Sequence, residues 1–212
     1  MTQINNSLFG LTSLVAILTL GLASPVFAEE PFICDSFIDN QTIDAEVIVP
    51  AGETCEFYEV TVNGNVTIQK DADFKISSST TINGNLSANQ ANEINITELN
   101  MYGNISIVNS GNVDIQQATV IFGNVLFKGN NFVDLFEQAI FGNVIIAQNE
   151  GVDAADVGIH GNLLLLGNTL VNANTDSDFY LTVFENATCL QNEVFNGVVN
   201  ALAKNNGCPL PS

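Results

Sequence analysis

Apolar residues alternate with polar ones along most of the chain, in short runs separated by Gly, Asn, Asp and Ser. A period of two is typical of β-strands with one buried face, and the intervening residues favour turns. The tripeptide Gly-Asn-aliphatic recurs along these runs at spacings of 20, 19, 20, 19 and 19 residues. It begins at Gly64, Gly84, Gly103, Gly123, Gly142 and Gly161. The pattern therefore predicts a repeat protein made of short strands and turns.

Aligning the repeats on this glycine places apolar residues in five columns. One column lies two positions before the glycine, and the others lie two, four, ten and twelve positions after it. The column two after the glycine holds Val66, Leu86, Ile105, Val125, Val144 and Leu163. Stacked coils bury such columns in one continuous core. We expect an all-β, single-stranded, right-handed parallel β-helix of about seven coils of 19–20 residues. The handedness follows from the rule for parallel crossovers and from a varying period, unlike the strict hexapeptide of left-handed β-helices.

The N-terminal segment differs from the rest of the chain. Residues 1–28 carry no charged side chain, contain an apolar run from Leu8 to Leu22, and end in Val26-Phe27-Ala28. This pattern is typical of a signal peptide cleaved near Ala28. An uncleaved membrane anchor is the alternative, although the run is short for a spanning helix.

The remaining chain divides by how closely it follows the repeat. Residues 29–60 are predicted to form an N-terminal cap and first coil, residues 61–180 the β-helix coils, and residues 181–212 a C-terminal coil and cap. Within the last segment, Glu193 to Lys204 is expected to form a short amphipathic helix or an irregular cap.

The four cysteines are spaced like the coils. Cys34 and Cys55 are 21 residues apart, and Cys189 and Cys208 are 19 apart. In a β-helix each pair lies in neighbouring coils within disulfide range, whereas Cys55 and Cys189 are about six coils apart. We expect disulfides Cys34–Cys55 and Cys189–Cys208, which clamp the terminal coils. With the signal peptide, they predict a secreted, cell-surface or periplasmic protein.

The charge balance is strongly negative, with 23 acidic residues, four lysines, no arginine and a net charge of −19. Nucleic-acid binding requires a basic surface, so this composition argues strongly against it. Binding to an anionic membrane is disfavoured for the same reason. A chain with this charge is expected to stay soluble outside the cell.

The outward columns change character along the chain. In the later coils the residue before the repeat glycine is aromatic or His, and the third residue after it is aliphatic. We name these residues the outer strip: Tyr102, Phe122, Phe141, His160, Leu126, Ile145 and Leu164. An exposed apolar ladder predicts a binding surface for a second copy or for a cell-surface or extracellular partner. Coverage by the tail after Leu181, and stacking on a sugar or another ligand, are the alternatives. For His160, the only histidine, packing is favoured over catalysis.

A second outward column, eleven residues after the glycine, is acidic in the middle coils, at Asp114, Asp134 and Asp153. Carboxylates about 5 Å apart repel one another unless they are screened or bridged. A solvated acidic face is the favoured interpretation. Weak Ca²⁺ binding and a carboxylate pair for polysaccharide cleavage are the alternatives. No cofactor other than this Ca²⁺ is predicted, and the chain contains no serine triad, zinc pattern or phosphate-binding loop.

The asparagine after each repeat glycine is predicted to form a turn ladder of stacked side chains. Its members are Asn65, Asn85, Asn104, Asn124, Asn143 and Asn162. The first three also form glycosylation sequons, as do Asn95 and Asn186. The ladder explains the first three without a glycan.

The repeated Gly-Asn-Ile/Val tripeptide resembles that of bactofilins, the polymer-forming β-helical proteins of bacteria. It also looks like that of exported bacterial β-helix proteins of unknown function, whose coils lie between Cys-containing ends. The resemblance covers roughly Val47 to Cys208 and implies the β-helix fold. Pectate-lyase-like enzymes share this architecture, but their usual arginine base has no counterpart here.

The sequence favours a non-enzymatic, exported structural, adhesion or self-associating scaffold that binds through the outer strip. A polysaccharide-active enzyme using Asp114, Asp134 and Asp153 is the alternative. Ice binding is a remote third, because it usually requires regular threonine ladders, and Thr67, Thr80, Thr97 and Thr119 are scattered.

Overall fold

The computed structural model describes residues 30–173, 181–192, 194–197 and 199–209. Within these ranges the chain forms 26 β-strands and no helix. Strands of successive coils pair in parallel, so the predicted parallel β-helix is confirmed. The predicted signal peptide and its cleavage site at Ala28 lie outside the described residues.

Each coil contributes strands to three faces. The first face follows the Gly-Asn turns and contains β1 (Phe32–Ile33), β4 (Val47–Val49), β7 (Val66–Ile68), β10 (Leu86–Asn89), β13 (Ile105–Val108), β16 (Val125–Lys128), β18 (Val144–Ala147), β20 (Leu163–Leu166), β23 (Asn186–Leu190) and β26 (Lys204–Asn206). The second face contains β2 (Phe37–Asp39), β5 (Thr54–Tyr58), β8 (Asp73–Ile76), β11 (Glu93–Thr97), β14 (Asn112–Gln116), the first halves of β17 (Phe132–Ile140) and β19 (Gly151–Ile159), β21 (Leu170–Ala173) and β24 (Val194–Gly197). The third face contains β3 (Thr42–Ile43), β6 (Thr61–Val62), β9 (Thr80–Ile82), β12 (Leu99–Met101), β15 (Thr119–Ile121), the second halves of β17 and β19, β22 (Leu181–Val183) and β25 (Val199–Ala201).

The stack is longer than the repeat glycines suggest. The ten paired strands of the first face make about nine turns, rather than the seven that the sequence predicts. The additional turns lack the repeat glycine: Ala45 lies below Gly64, and Glu185 falls opposite Gly161 in the strand register. A count based on the tripeptide therefore misses coils at both ends.

The predicted inward columns form the core. Residues of the column that begins at Val66 and ends at Leu163 pair from strand to strand and are all buried. The repeat glycines are required by close approach between coils. A Cβ atom on Gly123 would overlap the backbone carbonyl of Gly103, and the other repeat glycines stack in the same way. The turn thus brings the backbones of neighbouring coils closer than any side chain permits.

The C-terminal segment differs from its prediction. The helix or irregular cap expected from Glu193 to Lys204 is wrong for the described residues, because β24, β25 and β26 pair with β21, β22 and β23. An open sheet edge offers a partner to each backbone group of an incoming strand. A short isolated helix is only marginally stable in water, so the strand is favoured.

Both predicted disulfides are present, at the two ends of the stack. The Cα atoms of Cys34 and Cys55 are 5.4 Å apart, and those of Cys189 and Cys208 are 4.9 Å apart. Each bond joins neighbouring coils, as the spacing predicts. Two structural disulfides fit an extracellular or otherwise oxidising compartment.

Candidate functional site

Aromatic side chains form a continuous ladder at the end of the third face. The rings of Tyr102, Phe122, Phe141, His160 and Phe184 stack in order, with centroid separations of 5.1, 5.1, 4.3 and 4.2 Å. Neighbouring ring planes lie within 10° of parallel. We call this feature the aromatic ladder. It contains every aromatic residue and the histidine of the predicted outer strip.

Phe184 belongs to the ladder although the repeat spacing did not predict it. Its coil is 24 residues long, measured between the paired asparagines Asn162 and Asn186, rather than 19 or 20. The additional residues shift Phe184 out of the repeat spacing. The available signal was its position two residues before Asn186, which matches the position of Phe141 before Asn143.

The ladder presents ring edges rather than ring faces. Parallel rings at these separations cover each other's faces, so Phe122, Phe141 and His160 have a neighbour on both sides. A sugar stacks on an exposed ring face, as a π-system prefers. The arrangement therefore disfavours the sugar-stacking interpretation for the inner rungs.

The described part of the C-terminal tail does not cover the ladder. Strands β22 to β26 extend the stack, and Phe184 adds another rung. Tyr102, Phe122, Phe141 and Phe184 remain 54, 46, 47 and 43% exposed. Coverage by the described residues after Leu181 is therefore contradicted.

The aliphatic residues of the outer strip lie on a different sheet. Leu126, Ile145 and Leu164 pair in register on the first face, beyond the Gly-Asn turn. We call them the aliphatic column. Ile145 is 40% exposed, and its two neighbours are half-buried. The outer strip thus turns a corner instead of forming one flat surface.

A shallow trough runs between this corner and the aliphatic column. One depression of about 350 Å³ is lined by Asn124, Leu126 and Ile145 among others. The next, of about 320 Å³, is lined by Asn162, Ile145 and Leu164 among others. The trough and the aromatic ladder lie on opposite sides of the Gly-Asn turn, and both run along the solenoid axis.

The predicted turn asparagines form a hydrogen-bonded ladder at the corner. The Oδ1 atom of each residue accepts hydrogen bonds from the backbone N–H and the Nδ2–H of the next asparagine, at 2.8–3.3 Å. The ladder starts at Asn65 and extends one rung beyond the prediction, to Asn186. Since Nδ2 of Asn85, Asn104 and Asn186 donates within it, a glycan on these atoms would compete with the ladder.

A second asparagine ladder, which the turn pattern did not predict, lies inside the molecule. Asn130, Asn149 and Asn168 are at most 1% exposed. Oδ1 of Asn149 accepts from Asn130, and Asn149 in turn donates to Asn168 and to the carbonyl of Phe127. Their 19-residue spacing was visible in the sequence, but their burial was not.

The predicted acidic column lies on the second face. Asp114, Asp134 and Asp153 are partners in adjacent parallel strands, and all three are half-buried. Burial first, and then the charges of Asp114 and Asp153, raise the pKa of Asp134 to about 6. Lys75 lies in the same column, two coils before Asp114, but it does not neutralise these aspartates. Its Nζ forms an ion pair with Oε1 of Glu56 at 3.2 Å. Across the described ranges, no group of three or more ligand side chains could hold a metal ion.

Carboxylates are unevenly distributed over the surface. Glu185 follows Phe184, the last rung of the aromatic ladder. The segments that carry the other four rungs and the aliphatic column, at 100–108, 120–128, 139–147 and 158–166, contain no acidic residue. Their one charged side chain is Lys128. The middle of the outer strip is therefore a nearly uncharged surface on a protein whose net charge is −19.

The threonines do not form the regular array that ice binding favours. Thr80 and Thr119 are fully buried in the core. Thr67 and Thr97 lie on different faces. Separately, no helix in the described part of the chain is long and apolar enough to cross a membrane.

Searches of protein families, of curated proteins and of solved structures returned no match to this chain.

Proposed function

We propose that this protein is a non-enzymatic, exported structural or adhesion scaffold that binds through its outer strip. The observation that carries the proposal is the aromatic ladder, whose five rings stack in line and are exposed to solvent at the end of the third face. An ordered apolar surface of this kind is typical of a site for protein association. The two disulfides suit a scaffold that works outside the cytoplasm.

The uncharged character of the strip supports a contact that excludes water. Charged residues are depleted at the centre of protein interfaces, and aromatic residues are enriched there. The aromatic ladder and the aliphatic column have this composition, whereas the second face carries the carboxylates of Asp114, Asp134 and Asp153.

The proposal is tested by two assays on the purified protein. One measures its self-association, and the other measures its binding to envelope or matrix material from the producing cells. We expect the wild type to associate in at least one of these assays and Phe122→Ser plus Phe141→Ser to lose that association. Phe37→Ser is the matched control, because Phe37 is 56% exposed but lies outside the strip. A wild type that binds in neither assay, or a double variant that binds equally well, contradicts the proposal.

Polysaccharide cleavage by the acidic column is the second candidate function. The observation that favours it is Asp134, whose pKa is raised to about 6 beside Asp114 and Asp153. A carboxylic acid of raised pKa next to an ionised carboxylate is the arrangement used in glycoside hydrolysis. Product release from acidic or neutral glycans that Asp134→Asn abolishes would support it. Release from none of them leaves this candidate without a basis.

A further inference from the structure

The aromatic ladder and the trough beside it are complementary features on one molecule. The ladder is a ridge of ring edges, and the trough is an apolar groove lined by Ile145, Leu126 and Leu164. We propose that a second copy of this chain occupies the outer strip, with the ladder of each copy seated in the trough of the other. This inference rests on the proposed function and specifies its partner.

Charge opposes a second copy at the acidic second face but not at the middle of the outer strip. Two chains of net charge −19 repel each other, and carboxylates on facing surfaces add to that repulsion. When two copies approach through their outer strips, no acidic side chain of the middle coils enters the contact. Added salt screens the remaining long-range repulsion, so dimerisation strengthens with ionic strength.

Geometry fixes how the two copies are related. The ridge and the groove lie side by side, so each ridge meets the opposite groove only if the two-fold axis runs parallel to the solenoid axis. A two-fold axis across the solenoids would place ridge against ridge. The two solenoids therefore run in the same direction, with identical coils at the same height.

Equal heights define the contacts. Phe122, Phe141 and His160 of one copy face Leu126, Ile145 and Leu164 of the second copy. The terminal rungs, Tyr102 and Phe184, face the polar residues Ser106 and Thr188 of the second copy. The contact thus has an apolar centre and a polar margin, as stable protein interfaces do.

The size of the strip sets the strength of the contact. Its five rungs span about 20 Å at the usual strand spacing. A patch of this length buries less than the roughly 800 Å² per partner of a standard interface. The dimer is therefore reversible, and its dissociation is concentration-dependent. A two-fold contact uses the ridge and the groove of each copy once, so association stops at two copies.

Sedimentation velocity over a wide range of protein concentration tests the inference. The protein is purified from the compartment to which the expressing cell delivers it, and its N-terminus is determined by mass spectrometry. We expect a monomer–dimer equilibrium that Phe122→Ser plus Phe141→Ser weakens by at least about tenfold. Leu126→Ser plus Ile145→Ser is expected to weaken it equally, and Phe37→Ser to leave it unchanged.

A mixture of the two double variants gives the most specific test of the ridge–groove contact. The ladder variant retains its trough and the trough variant retains its ladder, so the mixture restores one of the two ridge–groove contacts. A heterodimer that is weaker than the wild-type dimer but stronger than either variant alone supports the inference, and it also shows that both variants are folded. A monomeric wild type, a dimer insensitive to both double substitutions, or a mixture that associates no more strongly than its components overturns it.

The envelope-binding assay separates this inference from the proposed function. If the wild type is monomeric but its envelope binding still depends on Phe122 and Phe141, the dimer is excluded and the proposed function is retained.

Discussion

At the scale of single residues, neighbouring coils decide what each polar side chain does. Asn149 and Asn143 are chemically identical, yet the first is buried in a fully hydrogen-bonded ladder and the second lies on the exposed corner. Buried amides of this kind stabilise only while each donor and acceptor is paired. Asp134, in contrast, is destabilised by its strand neighbours, because Asp114 and Asp153 carry charge of the same sign.

Asp134 should make stability depend on pH. Its pKa of about 6 in the folded protein lies above the value of about 3.9 expected in the unfolded chain. The folded state therefore binds more protons between these values, and the free energy of unfolding falls as pH rises through this window. We expect Asp134→Asn to raise the melting temperature at pH about 7 and to flatten its pH dependence between about 4 and 6.

Thermal unfolding followed by circular dichroism over a pH series is the measurement. Asp39→Asn serves as the control, because it removes the same charge from an exposed position on the same face. Equal effects of the two substitutions would show that net charge, and not the stacked carboxylates, is responsible.

At the scale of elements, the turn between the third and first faces is set by backbone packing. The repeat glycines stack so closely that each leaves no room for a Cβ atom above the one before. The asparagine ladder next to them satisfies the backbone N–H groups that this tight turn leaves free. Together they explain why the Gly-Asn pair recurs, while the residues before and after it vary from coil to coil.

Gly123→Ala should be strongly destabilising, since its Cβ atom would overlap the carbonyl group of Gly103. Relief requires a backbone shift in two coils, for which we expect a loss of at least about 3 kcal/mol. Gly158→Ala is the matched substitution, because its Cβ atom would find its nearest neighbours at 3.8 and 4.0 Å, in ordinary contact. That variant should differ from the wild type by less than about 1 kcal/mol in urea unfolding. Similar losses for both would refute the close-approach explanation.

At the scale of the whole molecule, the stack is nearly one-dimensional. Each coil contacts its neighbours, so the stability of a terminal coil depends on a single interface. The two disulfides lie at these ends, where Cys34 bonds Cys55 and Cys189 bonds Cys208. The acidic column and the aliphatic column run along the stack on different faces, so the carboxylates are separated from the apolar surface.

Removing the C-terminal disulfide should fray one end without unfolding the rest. A bond that closes a loop of 19 residues contributes about 3 kcal/mol. In Cys189→Ala plus Cys208→Ala we expect faster amide hydrogen exchange in β23 to β26 and unchanged exchange in β13 to β18, measured by mass spectrometry. Cys34→Ala plus Cys55→Ala should give the mirror-image result at the other end. Exchange that rises evenly along the stack would contradict a one-dimensional architecture.

Spacing along the chain by itself determined the parallel β-helix, the inward columns and both disulfide pairs. Each of these depends only on residues one coil apart, such as Cys189 and Cys208, and a constant period preserves that information. The prediction of about seven coils was too low because the terminal coils fold without the repeat glycine, as at Ala45.

The tertiary structure alone decided the features that depend on register or on three-dimensional neighbours. The longer coil before Asn186 breaks the constant period, so an alignment on the repeat glycine leaves out Phe184, which the fold places in the aromatic ladder. The fold likewise pairs β24 to β26 as strands. The corner between ladder and aliphatic column arises because the chain changes sheets at the Gly-Asn turn, which an alignment of columns does not contain. The burial that raises the pKa of Asp134 comes from the packing around it, and no linear pattern records packing.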